Sequence, residues 1–171
     1  LADVNFIKNL KLKCFIYSKF GHLAFIMISL WQFLKKKKYK RIPLSPVGTG
    51  HLKFEATING VSGEFILDTG ASNTCIGFED LERFKLYAKD SEVKAAGAGA
   101  IDMLTQIAQD NLIEIGPWKT KNISIVLFDL SHVNQALINH DAKPVSGIIG
   151  ADVLKLGKAI IDYQYNCMYL K

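Results

Sequence analysis

The chain has 171 residues, of which 49% are hydrophobic and 22% charged, and its net charge is +5. This length allows one domain with a hydrophobic core plus an appendage, and the composition excludes collagen-like and disordered chains. Residues 1–41 carry +9 (ten Lys and Arg against one acid), whereas residues 42–171 carry −4 (eleven basic against fifteen acidic). Because the acidic body has no basic stripe interleaved with aromatic residues, we expect no nucleic-acid partner.

The cysteines and histidines give no sign of a metal site or of a disulfide framework. Cys14, Cys75 and Cys167 are an odd number with no C-x-x-C pair, and the four histidines are scattered. A structural zinc site needs closer spacing and more ligands. We therefore expect no metal and no cofactor, with two of the thiols buried in strands as small hydrophobic groups.

Residues 20–34 form a mostly apolar run that is followed directly by Lys-Lys-Lys-Lys-Tyr-Lys-Arg. One interpretation is a membrane anchor with a positive flank on its cytoplasmic side. A spanning helix needs about 20 apolar residues, however, and this run is shorter and contains polar interruptions. A secretory signal would carry its positive charge before the apolar stretch and a cleavage site after it. We therefore favour a cytoplasmic protein, with membrane anchoring as the alternative.

A protein that starts at Met27 explains this region better than a membrane anchor or a secretory signal does. Residues 1–26 would then be a leader or a non-native upstream segment outside the fold, and residues 27–50 a short helix with an extended connector. Ser29 is placed to cap the helix. The apolar face that packs on the body would consist of Leu30, Phe33 and Leu34. The prolines in residues 42–46 predict the extended connector.

From His51 onward the pattern predicts short strands. Apolar and polar residues alternate over residues 52–58, and Asn59-Gly60 is a strong hairpin signal. Further strands are predicted near residues 73–76, 91–96, 101–107, 112–115, 123–130, 147–150, 159–163 and 167–170, with short helices over 79–84, 132–138 and 151–156. Strands at this density with brief helices predict a compact, mainly β, barrel-like domain over residues 51–171.

Asp68 stands at the end of the apolar stretch Phe65-Ile66-Leu67 and is followed by Thr69 and Gly70. An acid at that place is costly unless it is hydrogen-bonded or used in chemistry. Gly70 lets the chain turn sharply, and the hydroxyls of Thr69 and Ser72 can satisfy the loop. Hydrolysis of a peptide by carboxyl groups needs two of them, one as base and one as acid. Since the chain has a single Asp-Thr-Gly, a symmetric homodimer would supply the pair.

These residues resemble the active-site loop of the retropepsin-like, single-lobe aspartic peptidases, and the resemblance covers residues 51–171. Two further motifs match in order: a small-residue run where that family has its flap over the substrate, and a hydrophobic-hydrophobic-glycine element that precedes a helix. These motifs are Ala96-Gly97-Ala98-Gly99 and Ile148-Ile149-Gly150. The C-terminal strand falls where the family builds its dimer interface. In detail the chain resembles a bacterial group of aspartyl proteases, some with a similar Leu-x-x-Phe-Leu-Lys-Lys lead-in.

The resemblance implies a retropepsin-like acid-protease barrel and an aspartic endopeptidase that acts on peptides or proteins as a homodimer. Asp68 would activate water together with its symmetry mate. Thr69 would hold the paired loops, Gly70 would allow their approach, Ala71 continues the loop, and Ser72 would hydrogen-bond the carboxylate. The alternative function is a non-catalytic dimerisation or peptide-binding module of the same fold.

The remaining acids that adjoin apolar strands are assigned structural roles. Asp129 and Asp152 are interpreted as turn or helix N-terminal acids, since carboxylates are favourable there. Asp162 is interpreted as a surface turn residue. The lysines at 35–38 are interpreted as a solvated face.

Overall fold

A computed structural model describes residues 28–171 apart from 91–94, 98–99 and 104, and between residues 95 and 103 it describes the backbone alone. The chain divides into two units, Leu1–Phe33 and Leu34–Lys171. The predicted leader over residues 1–26 lies outside the described residues, so the predicted domain boundaries stay a prediction.

The first helix in the described residues, α1 (Leu30–Lys36), begins as the sequence predicts. The amide of Gln32 donates to Ser29 Oγ over 3.2 Å, and the amide of Ser29 donates to Gln32 Oε1 over 3.0 Å. This reciprocal capping box satisfies two backbone donors that a helix start leaves unpaired. Leu34 is 3% exposed, but Leu30 and Phe33 are 45% and 43% exposed. Leu34 is therefore buried as the predicted apolar face requires, and the packing of Leu30 and Phe33 on the body stays a prediction.

Strands are the commonest secondary-structure element in the described chain. They are β1 (Lys40–Pro43), β2 (Ser45–Pro46), β3 (Leu52–Ile58), β4 (Val61–Leu67), β5 (Cys75–Gly77), β6 (Ala88–Asp90), β7 (Ala95–Gly97), β8 (Ala100–Met103), β9 (Gln106–Ile115), β10 (Trp118–Phe128), β11 (Gly147–Ile149), β12 (Ile160–Asp162) and β13 (Cys167–Leu170). A 3₁₀ turn (Phe78–Asp80) and the helices α2 (Ser131–Ile138) and α3 (Ala151–Leu156) connect them. In the part of the chain described, no helix has the length and apolarity needed to cross a membrane.

Six strands close into a barrel in the order β3, β4, β11, β5, β10, β9, because β3 pairs with both β4 and β9. The β3–β4 hairpin turns at Asn59 and Gly60, whose φ angles of 49° and 83° are both positive, as a type I′ turn requires. Alternate residues of β3 point inward and are buried. The barrel interior is the main hydrophobic core, which confirms the predicted mainly β barrel.

A second sheet has the order β1, β13, β12. Lys40 pairs with Leu170 on one side of β13, and Tyr169 pairs with Ile160 on the other. The C-terminal strand is therefore enclosed by its own chain and fully buried. Both of its edges are paired within the described chain, and its part in a dimer interface stays a prediction.

The turn between β12 and β13 corrects another expectation. Asp162 is 9% exposed, so its predicted surface position is wrong. Its carboxylate accepts hydrogen bonds from the amide of Tyr165 over 3.1 Å and from the hydroxyl of Tyr169 over 3.4 Å. The residue does shape the turn, as predicted, but from the buried side of the sheet.

Candidate active site

Asp68 follows directly from the buried end of β4. In β4, the consecutive residues Phe65, Ile66 and Leu67 are all buried, so this end of the strand is covered on both faces. β11 runs parallel to β4, with Ile149 in register with Leu67. The amide of Asp68 donates to the carbonyl of Ile149 over 3.2 Å, so the backbone of Asp68 is fixed where the strand pairing ends.

The Asp68 side chain is half-buried in the single chain, and its own loop supplies a donor to it. The amide of Gly70 donates to Asp68 Oδ1 over 2.8 Å. Thr69, Gly70 and Ser72 are exposed at the tip of the loop. In the described residues no hydrogen bond joins Ser72 to Asp68, so Gly70 makes the contact that the resemblance implies for Ser72.

The loop is held from behind by a contact that the sequence did not predict. Thr74 is 0% exposed. Its amide donates to Asp152 Oδ2 over 2.9 Å, and its hydroxyl donates to Asp152 Oδ1 over 2.8 Å. Asp152 lies in the first turn of α3 and also accepts from the amide of Val153 over 2.8 Å. This pair ties the loop after Asp68 to the start of the helix.

Gly150 brings the helix and the loop into backbone contact. Its amide donates to Thr74 Oγ1 over 3.1 Å, and the amide of Ala151 donates to the carbonyl of Ala71 over 2.8 Å. A Cβ atom at position 150 would lie 2.5 Å from the Asn73 carbonyl oxygen, a distance that forces the backbone to move. Glycine is therefore required at position 150 because the two backbones approach so closely.

The two isoleucines of that motif have different surroundings. Ile149 is buried in the barrel core. Ile148 is half-buried and packs against a smaller cluster of Ile66, Leu137 and Val145 beneath α2. Both lie in β11, between the two strands that precede and follow the Asp68 loop, which agrees with a structural role near the site.

Cys75 lies at the start of β5, just beyond the loop. Its thiol donates to the carbonyl of Asn73 over 3.1 Å. Burial, together with the nearby carboxylates of Asp152 and Asp68, raises the pKa of Cys75 to about 12. The thiol is therefore neutral at physiological pH and adds no charge to the site.

The predicted flap is a hairpin in its backbone. β7 pairs antiparallel with β8, with Ala95 opposite Met103 and Gly97 opposite Ala100. Ala96 and Gly97 lie in β7, whereas Ala98 and Gly99 lie outside the described residues. The contact of this hairpin with a substrate stays a prediction.

The structure brings Asp68, Thr69, Gly70, Ala71 and Ser72 into one loop and sets Gly150 against it. Sequence reasoning identified Asp152 as a helix N-terminal acid, which is correct, but did not pair it with Thr74. The one feature of the sequence that could have suggested this pairing is the acid in the first turn of the helix that follows Gly150. Over the described residues, no group of three or more His, Cys, Asp or Glu side chains could hold a metal ion.

Comparison with known proteins agrees with this geometry. The sequence model of one family, described as aspartyl protease, matches residues 54–153, more than half of the chain. No protein with a curated description matches. A retropepsin-like aspartic protease from Rickettsia conorii is 21% identical, with a TM-score of 0.54 over 77% of this chain and 89% of that one. The retroviral protease-like domain of Ddi1 from Leishmania major is 18% identical, with a TM-score of 0.50 over 71% and 88%.

The chain therefore belongs to the aspartyl protease family. Its likeness to these two structures shows a retropepsin-like fold. The family and the fold together define the class of activity, which is that of an aspartic-type endopeptidase.

Proposed function

We propose that Asp68 is the catalytic carboxylate of a homodimeric peptidase and that each chain contributes half of the active site. The observation that carries the proposal is the position of Asp68. It follows a buried strand, its backbone is bonded to β11, and its carboxylate is half-buried behind an exposed loop. A fixed acid at an open surface is what a site shared between two chains requires.

Within the part of the chain that the structure describes, no second acid beside the Asp68 loop suits this chemistry. Asp152 is the other carboxylate bonded to the loop in the part of the chain described, and it accepts three hydrogen bonds, two from Thr74 and one from Val153. A carboxylate bonded in this way joins the loop to the helix and has a structural role. The second acid is therefore Asp68 of the partner subunit.

In the dimer the two Asp68 carboxyl groups share one proton, since two like charges so close are not both ionised. The ionised group takes a proton from water, which attacks the carbonyl carbon of the peptide. The protonated group donates its proton to the carbonyl oxygen. The tetrahedral intermediate then collapses as a proton passes to the leaving amine.

The two subunits of the proposed dimer would not pair by exchanging their C-terminal strands. β13 already has β1 and β12 on its two edges. The exposed loop with Thr69 and Ser72 is therefore the central contact at the two-fold axis, and the outer edges of β1 and β12 are the strand edges that a partner can approach. The β7–β8 hairpin, with Ala96, Gly97, Ala98 and Gly99, would cover a bound peptide as a flap.

The test is Asp68→Asn, which removes the acid–base group and keeps the shape. We expect no cleavage of a peptide library at mildly acidic pH, with the fold and solution mass unchanged. Asp129→Asn is the matched control. Asp129 is exposed and, among the described residues, its carboxylate accepts hydrogen bonds from Ser131 alone, so this variant should retain full activity. Full activity in Asp68→Asn would overturn the proposal. Peptide binding without turnover in the wild-type protein would instead support a non-catalytic module.

A further inference from the structure

A dense run of positive charge lies between α1 and β1 in the described part of the chain. Six of the seven residues at positions 35–41 are Lys or Arg, and all six are exposed. Residues 42–171 carry a net −4, so the body as a whole does not share this positive charge. We call residues 35–41 the basic segment.

The basic segment is held in place by its backbone. The amides of Lys37 and Tyr39 both donate to the carbonyl of Leu34, over 2.9 and 3.1 Å. Leu34 is buried, which fixes the last turn of α1. Lys40 and Arg41 then pair with β13, and Ile42 is buried. The charges are thus presented by an ordered surface, and they lose less freedom on binding than a flexible tail would lose.

Further cations extend this surface. Lys171 Nζ lies 5.9 Å from the ring centroid of Tyr39, and the amide of Lys171 donates to the carbonyl of Gly157, next to the exposed Lys158.

Lys36, Lys38 and Lys40 form no ion pair with any residue that the structure describes. Their charge is therefore not neutralised within the described chain.

We propose that the basic segment, together with Lys171, is a docking surface for a membrane that contains anionic phospholipid. In the sequence, the apolar run of residues 20–34 ends directly before it. A cluster of four to eight Lys and Arg beside an apolar segment is the pattern that binds anionic lipid headgroups. A nucleic-acid surface would favour arginine forks and stacking aromatics, whereas this one has five lysines and one arginine. The proposal does not depend on the role of Asp68.

The test compares the full chain on vesicles of phosphatidylcholine alone and vesicles that also contain phosphatidylserine, by co-sedimentation. We expect binding to the anionic vesicles only. Binding should disappear near 1 M salt, where the screening length is about 3 Å. Each lysine at such a surface contributes about fivefold to affinity. Replacing all of Lys35, Lys36, Lys37 and Lys38 by Gln should therefore weaken binding at least about a hundredfold.

The matched control replaces four exposed lysines elsewhere, Lys85, Lys89, Lys121 and Lys143, by Gln. Both variants lower the net charge from +5 to +1, since each loses four positive charges. The control should bind within about twofold of the wild type, because its charges lie outside the basic segment. If both variants lost the same affinity for anionic vesicles, the net charge and not the basic segment would determine binding, and the proposal would be overturned. Salt-insensitive binding to neutral vesicles, or tighter binding to a DNA duplex than to anionic vesicles, would overturn it as well.

Discussion

Replacing Asp152 with alanine should destabilise the loop that carries Asp68. The change removes the acceptor for both the amide and the hydroxyl of Thr74, which is fully buried. A buried donor left without a partner costs about 1–3 kcal/mol, so the two together cost about 2–6 kcal/mol. A domain of this size is stable by only about 5–15 kcal/mol, and the loss would be a large part of that.

A control variant, Asp129→Ala, shows how much stability the protein loses when a hydrogen-bonded acid is removed from an exposed site. Asp129 accepts the amide of Ser131 over 2.8 Å and also its hydroxyl, but at an exposed site. Asp129→Ala therefore removes a similar pair of bonds whose donors can turn to water. We expect it to cost about 1 kcal/mol or less.

Urea unfolding followed by circular dichroism measures both variants. Asp152→Asn, which keeps one acceptor oxygen, should lose about half as much stability as Asp152→Ala and should retain the fold. It should still lower kcat, because a loop displaced by 1 Å can cost about a hundredfold in rate. Equal stability losses in Asp152→Ala and Asp129→Ala would refute the argument that the burial of Thr74 makes this pair important.

Two further predictions concern the same loop. Gly150→Ala places a Cβ atom 2.5 Å from the Asn73 carbonyl oxygen and should cost about 1–3 kcal/mol in urea unfolding, with reduced peptide cleavage; unchanged stability would contradict the close contact. Burial raises the pKa of Cys75 from 9.0 to about 12. The stability it contributes is therefore complete below pH 9 and is lost as pH rises toward 12. Cys75→Ala should flatten that decline in unfolding experiments, and an identical decline in both proteins would contradict the burial argument.

The sequence predicted the fold best where local chemistry decides the structure. The alternation over residues 52–58, the Asn59-Gly60 turn and the helix Ala151–Leu156 all lie where they were expected. β9 was only partly predicted, because residues 106–111 are mostly polar. Asn111 is buried there and bonds the carbonyls of Ala108 and Ile123, and such a network is visible only once the strands are paired.

In the candidate site, too, the sequence predicted the local features and missed the contacts between distant residues. Asp68 and its loop were predicted because the motif is contiguous. Thr74 and Asp152 are 78 residues apart, and nothing local indicates that they meet. Asp162 was placed at the surface because it follows a short strand, but hydrogen bonds from Tyr165 and Tyr169 allow it to be buried. Tertiary pairing, not local preference, decides these positions.

The shared active site can be tested most directly by mixing subunits. A fixed amount of wild-type chain is allowed to exchange with a large excess of Asp68→Asn chain, and peptide cleavage per wild-type chain is measured. With a ninefold excess and random pairing, about one wild-type chain in ten meets another wild-type chain. Since a site with one Asp68 lacks its second carboxyl group, activity per wild-type chain should fall about tenfold. Unchanged activity at every ratio, with exchange verified by mass, would show that one chain holds a complete site and would contradict the account.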